Sequence, residues 1–137
     1  MAFTLKKSAR LKSRKQIELL FAERNSVKSY PLRAFWRLDQ EVERSVPVQA
    51  GFSVSKRLFK KAVDRNYFKR LLREAYRLHQ APLNAFFEAQ VGHLDIMFVY
   101  TTKERLTFAE IETKMIKAIQ RLLHELQKKA PHATNDK

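Results

Sequence analysis

Cysteine is absent from this 137-residue chain, which excludes disulfides and thiolate metal sites. Glycine occurs only at Gly51 and Gly92, so no glycine-rich phosphate loop can be built. Nucleotide hydrolysis of the P-loop or dinucleotide-fold kind falls away with it. No apolar run approaches the ~18 residues that cross a bilayer. The first ten residues, MAFTLKKSAR, lack the apolar stretch of a secretory signal, so a cytoplasmic location is expected. His79, His93, His124 and His132 share no ligand spacing on one element, and no metal site is expected in the protein. Glu41 and Glu43 fall in a turn, and Glu110 and Glu112 flank a helix start. Neither pair sits among apolar residues that would tune it for acid–base work. Ser53 and Ser55 have no histidine in the same local motif. No catalytic residue is therefore assigned to this chain.

Acids are also scarce: 14 Asp and Glu face 28 Lys and Arg, a net charge of +14. That imbalance points to nucleic acid first and an anionic membrane second. Hydrophobic residues make up 45% of the chain, too many for a disordered basic tail. The length fits one domain with one core. Residues 1–12 read as a flexible basic arm, 13–128 as a single RNA-binding domain, and 129–137 as a frayed tail.

Ser13 followed by Gln16 makes a capping box for a first helix, about 14–24, with Ile17, Leu20 and Phe21 on one stripe. Lys28–Pro31 closes it. LRAFWRLD at 32–39 alternates like a strand, with Leu32, Ala34, Trp36 and Leu38 on one face. Arg33, Phe35, Arg37 and Asp39 share the other. A polar turn at 40–45 leads to a second strand, 46–55, expected antiparallel to the first. A basic helix follows over roughly 59–79, then a short helical segment after Pro82. The apolar run DIMFVYT at 95–101 reads as a buried central strand. Thr107 and Glu110 cap a last helix over 107–128, striped by Phe108, Ile111, Met115, Ile119, Leu122 and Leu126. The order is α-β-β-α-β-α. A small mixed sheet covered on one face by two long helices satisfies it.

The basic segment, Lys56–Arg77, carries the strongest signal. Lys61, Arg65, Asn66, Lys69, Arg70, Arg73 and Arg77 fall on one half of a helical wheel. Val63, Tyr67, Phe68, Leu71, Leu72, Ala75 and Leu78 fall on the other. A solvated helix gains by mixing signs at i,i+4; this one leaves its cations largely unpaired. Such a face suits an array of phosphates, because each cation that meets one releases condensed counterions. Asn66 adds an amide that can both donate to and accept from a base edge or a 2′-hydroxyl. The aromatic strand is the second signal. Either helices bury both of its faces, or one face is core and the other, Phe35 with Arg33 and Arg37 or Trp36 beside Phe21, is free to stack unpaired bases.

GFSVSKR at 51–57, AVDRN at 62–66 and KRLLREAYR at 69–77 closely resemble the bacterial ribonuclease P protein subunit family. Its hallmark is a strand ending in S-K-K/R, a short connection, then A-V-x-R-N-x-x-K-R-x-x-R. Arg10-Leu11-Lys12, Phe21, the strand around Trp36, the apolar strand and the last helix also have counterparts in it. Two departures stand out. Tyr67 follows Arg65-Asn66 where the family commonly has a second arginine. Leu58-Phe59-Lys60-Lys61 replaces a glycine-containing turn, so Lys60 or Lys61 is placed to replace the missing charge.

The resemblance implies an α/β fold with a left-handed βαβ crossover, against the usual hand. It implies a ribonucleoprotein endonuclease that removes the 5′ leader of precursor tRNA. The RNA subunit would carry the chemistry and hold most of the Mg²⁺. The protein would assist by raising metal and substrate affinity. Contacts to the RNA subunit would fall on Lys56, Arg57, Lys61, Arg65, Asn66, Lys69, Arg70 and Arg73. The single-stranded leader would lie in a cleft lined by Lys12, Ile17, Phe21 and Trp36. The implied partners are ribonuclease P RNA and precursor tRNA. A membrane-surface role would need an exposed apolar face that the core already claims. A ribosomal or other structural RNA-binding protein explains charge and size equally well, but not the S-K-R…R-N…K-R spacing.

Overall fold

In the computed structural model, residues 5–129 are described. A 3-10 turn, Lys7–Ala9, leads into α1, Arg14–Glu23. Strands β1, Ser26–Ser29, β2, Leu32–Asp39, and β3, Val48–Val54, follow in turn. Then come α2, Ala62–His79, α3, Ala81–Phe86, β4, His93–Tyr100, and α4, Phe108–Lys129. The result is a mixed α+β fold on one four-stranded sheet of order β1-β2-β4-β3.

β4 lies between β2, to which it is antiparallel, and β3, to which it is parallel. Its run of apolar residues fits that central place, because both of its faces are covered. The expected β2–β3 hairpin does not form. β4 is inserted between the two strands, and β3, α2, α3 and β4 make a βαβ unit instead. Arg44, in the β2–β3 connection, explains why that stretch is not a tight turn. Its guanidinium lies 3.0 Å from the buried Asp95 carboxylate on β4 and donates to the Val46, Pro47 and Leu94 carbonyls. The connection is thereby pinned to the inserted strand.

Strand β1 was not expected. It occupies 26–29, where a helix end and turn were read, and pairs antiparallel with Leu32–Phe35. Arg24, in the left-handed region at φ 60°, ends α1 abruptly enough to let the chain turn back at once. The Tyr30–Pro31 peptide in the β1–β2 turn is cis.

The starts of α1 and α4 are capped by side chains, as their sequences predict. Ser13 Oγ accepts from the Gln16 N–H at 3.3 Å. At α4, Thr107 Oγ1 accepts from the Glu110 N–H at 3.2 Å, while Glu110 Oε1 accepts from the Thr107 N–H at 2.9 Å. The main core lies on one face of the sheet. Ala34 and Trp36 of β2 and Leu94, Ile96, Phe98 and Tyr100 of β4 pack there against two helices. From α2 come Phe68, Leu72, Ala75 and Tyr76; from α4, Ile111, Met115, Ala118, Ile119, Leu122 and Leu126. On the opposite face α1 crosses β2 and β4. There Leu11, Leu20 and Met97 form a second, small cluster.

The basic arm is not free of the fold. Leu5 and Leu11 are buried, the Leu11 N–H donates to the Ala50 carbonyl at 2.9 Å, and Arg10 bridges to Ala50 on β3. Gly51 leaves room for the Met97 side chain, while the arm lies at ordinary contact distance from it. A Cβ there would come within 2.8 Å of Met97 Cε and 3.5 Å of the Leu11 carbonyl. Residues 1–4 of the expected arm, and 130–137 of the expected tail, lie outside the described residues.

Candidate nucleic-acid interface

The basic helix begins at Ala62, later than the expected 59, because residues 55–61 form their own turn. The Leu58 and Phe59 N–H groups donate to the Ser55 carbonyl at 3.2 Å. Phe59 is buried and stacks on Phe68 with ring centres 4.9 Å apart. That apolar anchor holds the longer connection in the absence of glycine. Arg65 reaches back from α2 and donates to the Phe59 and Lys60 carbonyls at 2.9 and 2.8 Å. Arg65 is thus partly committed to holding the turn. Lys56, Arg57, Lys60 and Lys61 stand exposed along it.

Farther along α2, Asn66 and Arg70 are exposed, and Lys69 and Arg73 are half-buried. Val63, Asn66, Tyr67, Lys69, Arg70 and Arg73 line one open groove. The Arg73 guanidinium is held below its ordinary value, first by burial and then by the charges of Arg10 and Arg70 beside it. Arg10 joins this cluster because β3 is the edge strand next to α2, and Arg10 is bridged to β3. Acids are used elsewhere. Glu74 pairs with Arg77 at 2.6 Å, and Asp64 pairs with Arg105 at 3.3 Å. Among the described residues Lys69, Arg70 and Arg73 have no ion-pair partner. Like charges gathered without counter-charge are a standing cost that a polyanion relieves.

The wheel placed Val63, Tyr67 and Leu78 on the core side, yet all three are exposed. The core takes a narrower stripe, Phe68, Leu72, Ala75 and Tyr76. That spacing is what a helix packed on one sheet and one neighbouring helix requires.

The second surface is the seam where α1 crosses the sheet. Phe21, 39% exposed, meets Phe35 with ring centres 5.0 Å apart. Ile17, Phe35 and Val99 are half-buried around the small α1 cluster. The Arg33 guanidinium sits 5.1 Å from the centre of the Phe35 ring. Lys12 is exposed just before α1.

Trp36 does not belong to this seam. It is 3% exposed and points into the main core, on the sheet face away from Phe21. The alternation along β2 separates the two rings, and Phe35 is the one that reaches Phe21. An aromatic lining the cleft was expected at Trp36; the structure supplies Phe35 instead. Arg37, on the Phe35 face, pairs with Glu23 of α1 at 2.9 Å.

Two functional candidates were missed on the sequence, Arg10 and the pairing of Phe35 with Phe21. The strand alternation held the signal for Phe35, since it left both faces open. Nothing local marks Arg10, whose place depends on β3 being an edge. Among the described residues no three His, Asp or Glu side chains converge as metal ligands, and no helix is long and apolar enough to cross a membrane.

Comparison with known proteins supplies the remaining context. The family model described as Ribonuclease P matches residues 5–123. The ribonuclease P protein component of Porphyromonas gingivalis is 38% identical over 120 residues, which cover 88% of this chain and 87% of the relative. That of Chlorobium phaeobacteroides is 33% identical over 131 residues, 90% of this chain and 88% of the relative. The structure of the Staphylococcus aureus RNase P protein superimposes with a TM-score of 0.64 at 22% identity, covering 85% of this chain and 96% of that one. The Thermotoga maritima RNase P protein gives 0.62 at 25% identity, over 82% and 96%.

Proposed function

Because the chain belongs to the ribonuclease P protein family, we propose that it grips two RNAs with its two surfaces during removal of the 5′ leader from precursor tRNA. The α2 face, with Lys69, Arg70, Arg73 and Asn66, binds the RNA subunit. Arg10 beside α2 and Lys56, Arg57 and Lys61 on the preceding turn extend that contact. The α1 seam, with Ile17, Phe21 and Phe35 flanked by Lys12 and Arg33, takes the single-stranded leader. Unpaired bases stack on the exposed rings, and the flanking cations meet the leader phosphates.

The observation that carries this reading is the uncompensated cluster of Arg10, Arg70 and Arg73, physically separate from an exposed aromatic seam. A single RNA-binding surface has no need of both. Hydrolysis of the phosphodiester is assigned to the RNA subunit, with Mg²⁺ as the Lewis acid when bound. No carboxylate cluster of the described protein residues is placed to hold that ion, so its ligands are assigned to the RNA. The protein's part is electrostatic. Cations near the leader and the RNA subunit reduce phosphate repulsion and so raise the affinity for substrate and metal. A cytoplasmic location accords with this role.

Reconstitution tests it. The protein, added to a bacterial ribonuclease P RNA at low Mg²⁺, is expected to restore leader cleavage that the RNA alone performs poorly. The protein alone, freed of RNA, is expected to leave the precursor intact. Tight RNA binding without any stimulation of cleavage would favour a structural RNA-binding protein instead.

A further inference from the structure

The most cationic helix in the molecule also carries an exposed apolar flank. Val63 is 70% exposed and Tyr67 is 42% exposed, four residues apart on α2. A face that met only phosphates would have no use for them, since apolar surface left in water is costly without a partner. Both line the same groove as Asn66, Lys69, Arg70 and Arg73. The Tyr67 ring is braced rather than loose. Phe68 meets it edge-on, 5.1 Å between centres at 83°, and the Arg70 guanidinium lies 5.8 Å from its centre. Position 67 is also where the chain departs from the R-N-R pattern of the proteins it resembles, so the ring replaces a charge.

Resting on the reading that α2 meets RNA, we infer that Tyr67 forms a nucleobase site. It stacks one unpaired base of the RNA partner, while the Asn66 amide reaches that base's edge and Arg70 and Arg73 hold the flanking phosphates. The chemistry fits. A braced aromatic ring offers stacking at low entropic cost. An amide offers a donor and an acceptor together, which suits the edges of bases. Charge around the groove favours a polyanion over an apolar peptide as the occupant. At this position the helix thus exchanges a salt-sensitive phosphate contact for a salt-insensitive stack.

The experiment is a titration of a bacterial ribonuclease P RNA transcript with full-length protein across a salt series. The variants are Tyr67→Ala, Tyr67→Phe, Tyr67→Leu and, as reference, Arg70→Ala. Loss of one stacked base weakens binding roughly 5- to 150-fold. Tyr67→Ala and Tyr67→Leu are expected to show that loss with an unchanged salt slope, and Tyr67→Phe to retain most affinity. Arg70→Ala is expected to lower the slope by about 0.7–0.9. If Tyr67→Leu binds as well as Tyr67→Phe, or if Tyr67→Ala costs nothing while Arg70→Ala still weakens binding, the base site is overturned and α2 remains an RNA-binding face. If neither Tyr67→Ala nor Arg70→Ala changes affinity or slope, RNA lies elsewhere and both ideas fall. Because the Tyr67 side chain is exposed, the melting temperatures of its variants should stay near wild type.

Discussion

The α2 face and the α1 seam are built for binding by different physics, although both sit on one small sheet. The α2 face gathers cations with little counter-charge, and Arg73 sits beside both Arg10 and Arg70. Under the proposed function its affinity would come mainly from counterion release and should fade as salt rises. The seam is ring against ring, Phe21 on Phe35, with the Arg33 guanidinium over the Phe35 ring. Its affinity should rest more on stacking and depend less on salt. The segment through Arg10, Leu11 and Lys12 joins the two. Arg10 faces α2, Leu11 is buried beneath α1, and Lys12 stands exposed at the seam. Charge suits a large, repetitive RNA backbone, and rings suit a strand whose bases are unpaired. One fold supplies both because the two faces of its sheet are covered unequally. Two long helices seal one face, and a short one leaves the other partly open.

The largest contrast lies between neighbours on β2. Trp36 and Phe35 point to opposite faces, one into the core and one into the seam. Trp36→Ala is expected to cost about 3–5 kcal/mol of folding stability by opening a cavity. Chemical denaturation measures it, and binding of precursor and mature tRNA should fall together. A stable Trp36→Ala protein that loses only precursor would return that residue to the cleft. Phe35→Ala should behave in the opposite way. Losing one stack should weaken binding of precursor tRNA to the holoenzyme by about 1–3 kcal/mol. Mature tRNA, which has no leader, should bind as before. Equal losses for both ligands would remove Phe35 from the leader site.

Much of the architecture was legible because local chemistry and periodicity agree with it. The cap at Ser13, the box at Thr107 and Glu110, the alternation over 32–39 and the apolar run of β4 each emerge as elements. What failed to show was relational. A strand of four residues, β1, is too short for its pattern to stand out, and it exists because Leu32–Phe35 offers it a partner. The hairpin expectation for β2 and β3 followed from their nearness in sequence. It was lost because β4 pairs with both and Asp95 draws Arg44 to itself. The same limit applies to the site. Alternation divided Phe35 from Trp36 but could not say which side two long helices would cover. The cations of α2 were plain from composition. Their company with Arg10 required the third dimension.

A smaller effect separates the surfaces by salt alone. Lys69→Ala removes one charge from α2 without touching the core. It should lower the slope of log K against log salt for the RNA subunit by about 0.7–0.9. Leader discrimination, measured as the ratio of precursor to mature tRNA affinity, should stay as it was. Arg65→Ala is a poorer probe, because it also releases the Phe59 and Lys60 carbonyls. A Lys69→Ala protein with an unaltered slope would mean that this lysine meets no phosphate.

The smallest expected effect has the opposite sign. Glu74 is the one acid among the cations of the middle and end of α2, and it accepts from Arg77 at 2.6 and 3.1 Å. Those hydrogen bonds from Arg77 hold its carboxyl below the ordinary value of 4.5. It is therefore ionised at neutral pH, and protonation requires pH to fall below that value. A lowered folded value means that the stabilisation from this pair is present above the unfolded value and is lost as pH falls through the folded one. Glu74→Gln achieves the same neutralisation at pH 7. It adds one net positive charge to α2, so affinity for the RNA subunit should rise a few-fold at low salt and the salt slope should steepen by less than one contact's worth, under about 0.9. The gain should vanish at high salt, where screening shortens the reach of an added charge. Leader discrimination at the seam should not move, since Glu74 lies on α2, away from the rings and cations proposed to hold the leader. Titrations of wild type and Glu74→Gln at two salt concentrations decide the matter. A variant that binds the RNA subunit more weakly at low salt would show that the Glu74–Arg77 pair orders the helix face rather than merely tempering its charge.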